Sequence, residues 1–141
     1  MKDVLISISG TQSSQDGGDE QIELVTDGQY HYGGEESWFT YEESSLTGME
    51  GTKTTFRLEK DRVTLTREGS VNSQMMFQDG KKNVFLYDTP YGAATMGVDT
   101  KSLKTHADEH GLKMDIVYSV DVDNIVLGKN IFKINVKEIK Q

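Results

Sequence analysis

Apolar and polar residues alternate with period two along most of this chain, in short runs separated by Gly, Asp, Asn and Ser. Val4, Ile6 and Ile8 share one face of the first run, with Ser7 and Ser9 opposite. In the second, Ile22, Leu24, Thr26, Gly28, Tyr30 and Tyr32 share one parity, with Glu23, Asp27, Gln29 and His31 on the other. Successive side chains of a strand point to opposite faces, so each run reads as a strand buried on one side. Gly28 sits mid-run and predicts a bulge or bend. The Ser- and Gly-rich stretch from Gln12 to Glu20 predicts a mobile loop, and Gly33-Gly34 a turn. Ser37 to Tyr41 carries aromatics on both parities, so its inner face stays open.

Further along, Thr52, Thr54, Phe56 and Leu58 alternate with Lys53, Thr55, Arg57 and Glu59. After a Lys60-Asp61 turn, Val63, Leu65 and Arg67 form one face; after Gly69-Ser70, Val71, Ser73, Met75 and Phe77 form another. Asp79-Gly80 is a hairpin signal. Val84 to Tyr87 is apolar on both parities, as in a strand covered on two sides, and Pro90 marks a corner. Ala93, Ala94 and Gly97 begin a strand of small residues that is expected to end near Leu103. Ser102 to His110 is polar and reads as a connection. Leu112, Met114, Ile116, Tyr118, Val120 and Val122 make the clearest strand, and Phe132, Ile134 and Val136 the last. About ten strands with short connections predict an all-β single domain over residues 1–141. The expected form is an up-and-down antiparallel β-barrel of about eight to ten strands, since closure removes sheet edges. A β-sandwich is the alternative.

Several segments resemble one family: Gly28-Gln29-Tyr30, Trp38-Phe39-Thr40-Tyr41-Glu42-Glu43, Arg67-Glu68-Gly69, Met76-Phe77, Tyr87-Asp88-Thr89-Pro90-Tyr91-Gly92, and the strand from Leu112 to Tyr118. In this order and spacing the chain resembles the YwiB-like proteins of Firmicutes, a domain family of unknown function. The resemblance implies a calycin-like barrel, related in shape to lipocalins, in a bacterial cytoplasm. It implies no activity. Trp38 has Glu36 two residues before it rather than the Gly of the lipocalin Gly-x-Trp signature, so no ligand class carries over from lipocalins.

Composition narrows the choices. The chain has 141 residues and a formal net charge of −8, which disfavours phosphate backbones and anionic lipid, so neither nucleic acid nor a membrane is an expected partner. It has no cysteine, which removes disulfides and thiolate chemistry and agrees with a reducing, cytoplasmic compartment.

Candidate chemistry is sparse. His106 and His110 lack an evident third ligand for a metal site, and Asp121-Val122-Asp123-Asn124 fails the calcium-loop pattern because Ile125 and Val126 follow. No metal, cofactor or catalytic constellation is expected, and an enzyme ranks last. Arg67 shares parity with Val63 and Leu65 and is expected to point inward. It either closes one end of the barrel or anchors the charged group of a ligand. Tyr30, Tyr32 and Tyr118 carry inward parity too, and either fill the core or line a pocket. The leading functional expectation is a small, partly apolar or anionic ligand held in or at the mouth of the barrel by these four residues. The alternative is a protein-interaction module or homodimer without a ligand, motivated by the doubly apolar Phe85-Leu86-Tyr87 strand and the two-faced strand around Trp38.

Overall fold

A computed structural model describes residues 1–13, 19–45, 48–70, 72–89 and 92–139. The side chains of Asp19 and of residues 86–89 fall outside that description, as do the Pro90 corner and Val71. Among the described residues the chain forms ten strands: β1 (Lys2–Ser13), β2 (Asp19–His31), β3 (Glu36–Glu42), β4 (Thr52–Glu59), β5 (Val63–Gly69), β6 (Ser73–Phe77), β7 (Lys82–Thr89), β8 (Gly92–Asp108), β9 (Gly111–Val122) and β10 (Ile125–Glu138). Strands β1 and β2 take up both ends of the stretch from Gln12 to Glu20, leaving only 14–18 outside the described residues.

All pairings are antiparallel and follow the order β6-β5-β4-β3-β2-β1-β10-β9-β8-β7. Each strand therefore pairs with its neighbour in sequence, β6 and β7 excepted, and the first pairs with the last, from Val4↔Glu138 to Ser13↔Lys129. The result is a nearly closed up-and-down barrel, not a sandwich. Its lower end carries both terminal strand ends. Its upper end carries the connections that follow β1, β3, β5, β7 and β9. Period-two alternation turns one face of every strand inward. Val4, Ile6, Phe39, Phe56, Val63 and Leu65 meet Phe77, Val98, Leu112, Met114, Ile116, Ile134 and Val136 in one buried cluster. Phe39 and Phe56 stack at 5.0 Å between ring centres across the β3–β4 pair. Phe39 and Tyr41 define the inner face that the sequence leaves open, while Trp38 lies outside against His31.

Closure stops between β6 and β7. The Asp79-Gly80 turn forms, with Gly80 at a φ of 71°, but the two strands make no ladder. The turn is drawn to β8 instead: Gly80 N–H donates to Thr100 O, Thr100 N–H donates to Lys81 O, and Leu103 N–H donates to the Asp79 carboxylate. The predicted hairpin is thus a turn without a hairpin, and a seam runs along the barrel wall.

The segment predicted to be a polar connection is also strand. Ser102 to Asp108 continues β8 and pairs with β9 from Ser102↔Val117 to Asp108↔Gly111, after a bulge at Thr100/Ser102. Its polarity reflects position: β7 pairs with β8 only up to Lys82↔Asp99, so the rest of β8 borders the seam. Val84 is exposed, so β7 is not covered on both sides there. Gly28 is no bulge, since it keeps regular register with Val4. It marks the point where β2 parts from β3.

Candidate functional site

Several polar side chains turn inward at the upper end of the barrel. Arg67 lies on β5 opposite Thr54 of β4 and Ser73 of β6, in line with the buried Val63 and Leu65. Its inward parity is the one the sequence predicts. Its Nε is buried and meets no hydrogen-bond partner. No ion pair to it occurs among the described residues. Arg67 as a whole is half-buried, so the cost falls on this one nitrogen, a buried N–H left without an acceptor.

Tyr41 on β3, Thr54 on β4 and Arg67 on β5 stand in one cross-strand row, Tyr41 opposite Thr54 and Thr54 opposite Arg67. The Tyr41 hydroxyl hydrogen-bonds the Glu43 carboxylate and feels the Arg67 charge. Glu43, only 6% exposed, accepts a 2.6 Å hydrogen bond from Thr54 Oγ1. Tyr118 on β9 also feels the Arg67 charge. Burial raises the ionisation of both tyrosines well above the usual phenol range; Glu43 adds to this at Tyr41, and Arg67 opposes it at both. Both hydroxyls therefore remain protonated donors at neutral pH. Tyr118 also packs against Phe77 and Phe132, at 4.9 and 5.5 Å between ring centres. The half-buried Ile8, Leu24, Met75, Phe85 and Val120 extend the apolar wall from the core. The Arg67 cation and the Tyr118 phenol beside an apolar wall can receive the head of a partly apolar anion, while the Tyr41 hydroxyl is hydrogen-bonded to Glu43.

The four residues singled out from sequence divide. Arg67 and Tyr118 come together here. Tyr30 is buried as predicted, but at the lower end, where its hydroxyl donates to Asp108 O at 2.8 Å and Gly111 O at 3.1 Å. It ties β2 to the β8–β9 turn and belongs to closure of the barrel. Tyr32 does not point inward. It is 46% exposed, because β2 ends at His31 and the alternation ends with it. Tyr41, Glu43 and Thr54 are the residues that sequence reasoning missed. Their signal was parity with Phe39 and Phe56, which becomes readable once the inner face of β3 is known.

His106 lies on β8 and His110 in the turn after it, where His110 Nδ1 faces Glu138 at 3.1 Å. Among the described residues no three His, Cys, Asp or Glu side chains converge to hold a metal ion. Asp123 and Asn124, both at positive φ, form the tight turn between β9 and β10, as expected of a strand-end turn. No helix among the described residues is long and apolar enough to cross a membrane.

The same architecture occurs in a solved relative. The crystal structure of the ywiB protein from Bacillus subtilis superposes with a TM-score of 0.84 at 20% identity, covering 99% of this chain and 93% of that one. In sequence, the uncharacterized beta-barrel protein YwiB of Bacillus subtilis (strain 168) is 27% identical over 107 residues, 76% of this chain and 74% of the relative. A family model described as a domain of unknown function (DUF1934) matches residues 6–134, from β1 into β10. Since that match takes in the strands that build both the ring and the Arg67 end, the chain belongs to this bacterial β-barrel family of unknown function.

Proposed function

We propose that this protein is a binding module that takes a small, partly apolar anion at the upper end of its barrel. One observation carries the reading: the inward Arg67, whose buried Nε has no partner. Tyr118 supplies a further donor, and the half-buried aliphatic wall receives the apolar part. A charge-assisted contact there would satisfy a group that the folded chain leaves unsatisfied. We place the protein in the cytoplasm, a reading supported by the absence of cysteine.

Octanoate is a suitable probe, with octanol and inorganic phosphate as comparisons. Titration followed by amide chemical shifts is expected to show saturable octanoate binding centred on Arg67, Tyr41 and Tyr118. Octanol and phosphate should each bind more weakly, and Arg67→Met should weaken octanoate by about tenfold or more. Absence of saturable binding, or equal binding by the Met variant, rejects the reading. Phosphate binding as tightly as octanoate rejects the apolar component.

A second reading is an interaction module or homodimer. The consecutive exposed Ile125, Val126 and Leu127 at the start of β10 favour it. Light scattering over a concentration series tests the self-association form, and a monomer throughout excludes it.

A further inference from the structure

Strand β2 outruns the strand beside it. It has 13 residues against 7 in β3, and the two pair only from Gln29↔Thr40 to His31↔Trp38. The chain beyond Glu42 is committed elsewhere, since Glu43 N–H donates to Thr52 O across the start of β4. On its other side, β2 is paired with β1 along its length, from Lys2↔Tyr30 to Ser13↔Asp19. From Asp19 to Gly28, β2 is therefore an edge with no strand partner on the β3 side among the described residues. Edges of this length are usually blunted with Lys, Pro or a bulge, because their free N–H and C=O groups template another strand. This one has no Lys and no Pro, and keeps regular register throughout.

Its side chains indicate what would pair with it. Ile22 is 59% exposed and Val25 64%. Ile22 has inward parity, yet no β3 residue stands beside it to cover it. Between and around them, Glu20, Glu23 and Asp27 are exposed. The charge is also segregated along the chain. Residues 3–52 hold eleven Asp and Glu and no Lys or Arg; all fifteen basic residues lie outside that stretch. At the root of the edge a cleft of about 430 Å³ opens between β2 and β3, lined by Thr26, Gly28, Thr40, Tyr41 and Lys53 among others. A second copy of the same edge would bring like charges together. A basic extended segment would bring opposite ones.

We propose that the upper edge of β2, from Asp19 to Gly28, docks an extended basic peptide by adding it as a strand. Main-chain hydrogen bonds give the pairing, the Glu and Asp side chains select Lys or Arg, and Ile22 and Val25 contact the peptide's apolar positions. This inference does not draw on Arg67 and stands or falls separately from the anion reading.

The test uses a fluorescein-labelled peptide of alternating Lys and Val, about nine residues long to match an ordinary strand. Two comparisons accompany it: the same peptide with Glu for Lys, and one with Pro at alternate positions, which keeps the charge but cannot form a ladder. Anisotropy is expected to show the Lys-Val peptide binding about tenfold or more tighter than either comparison. Its binding should slow amide exchange within Gln21 to Asp27. Glu23→Lys should weaken binding severalfold, and Glu35→Lys, in the turn at the opposite end of the barrel, should not. Equal binding of the Pro peptide, or equal loss in both variants, reduces the effect to general attraction and overturns the proposal. So does absence of binding by the Lys-Val peptide, or binding with no change in β2 exchange.

Discussion

Arg67 and the buried tyrosines place two opposite demands on stability. A guanidinium nitrogen buried without a partner destabilises the unliganded fold. Arg67→Met keeps the aliphatic stem and removes the charge, and is expected to raise stability by about 1 kcal/mol while losing anion binding. Urea denaturation checks the first part; a destabilised Met variant would show that Arg67 holds the upper end together. The tyrosines set the alkaline limit. Burial pushes the Tyr30 phenol from 10.0 up to about 12, and raises Tyr41 and Tyr118 as well. A raised phenol means that the folded chain holds the proton more tightly than the unfolded one. This contribution is fully present below the unfolded value near 10 and is lost as pH rises toward about 12. The urea midpoint should therefore fall steeply from pH 10 upward, and Tyr118→Phe should flatten that fall. Tyr30→Phe should also cost about 1 kcal/mol at neutral pH, through the carbonyls of Asp108 and Gly111 left without their donor.

At the scale of elements, two glycines separate lack of space from backbone geometry. A Cβ on Gly28 would stand 2.3 Å from Thr40 O and 2.5 Å from Ile6 Cδ1. Gly28→Ala should therefore push β2 from β3 and cost about 2 kcal/mol. Gly80 has open space around it but a φ of 71°, so Gly80→Ala should cost about 1 kcal/mol through backbone strain alone. Denaturation midpoints distinguish the two, and a smaller loss at Gly28 than at Gly80 would contradict the packing account. Strand faces were readable from sequence for a physical reason: burial on one side imposes period two, as Leu112 to Val122 shows. What failed needed knowledge of neighbours. Tyr32 kept the parity of β2 after the strand had ended. Ser102 to Asp108 looked like a connection because it pairs on one side only along the seam. Gly28 signalled a special backbone position, but its cause is Thr40 on another strand. Arg67 was legible because a charge at an inward parity stands out among aliphatics. Glu43 and Tyr41 were not, because aromatics on both faces of β3 hid its inner side.

Across the whole molecule, the ring is held unevenly. The chain ends are locked by the pairing of β1 with β10, and β10 continues into β9 from Ile125↔Val122 to Lys137↔Gly111. At the seam, by contrast, β6 is a strand of five residues paired, among the described residues, with β5 alone. Among the described residues its hydrogen bond to β7 is a 3.4 Å contact from Asn83 Nδ2 to Met76 O. Sheet strands resist opening in proportion to the backbone bonds and buried contacts that must be broken together. The barrel should thus open first at β6, while β1, β9 and β10 open only with global unfolding. Amide exchange measured residue by residue is expected to show Ser73–Phe77 as the least protected strand and Val4–Ile8, Leu112–Tyr118 and Ile134–Val136 as the most. Because β6 stands next to Arg67 through the Arg67↔Ser73 pair, a ligand held by Arg67 should slow exchange in β6 more than in β9 or β10. Equal protection of β6 and β10 in the free protein would mean that the seam is sealed by side-chain packing as firmly as a ladder would seal it. The upper end would then be the sole way in to the Arg67 site.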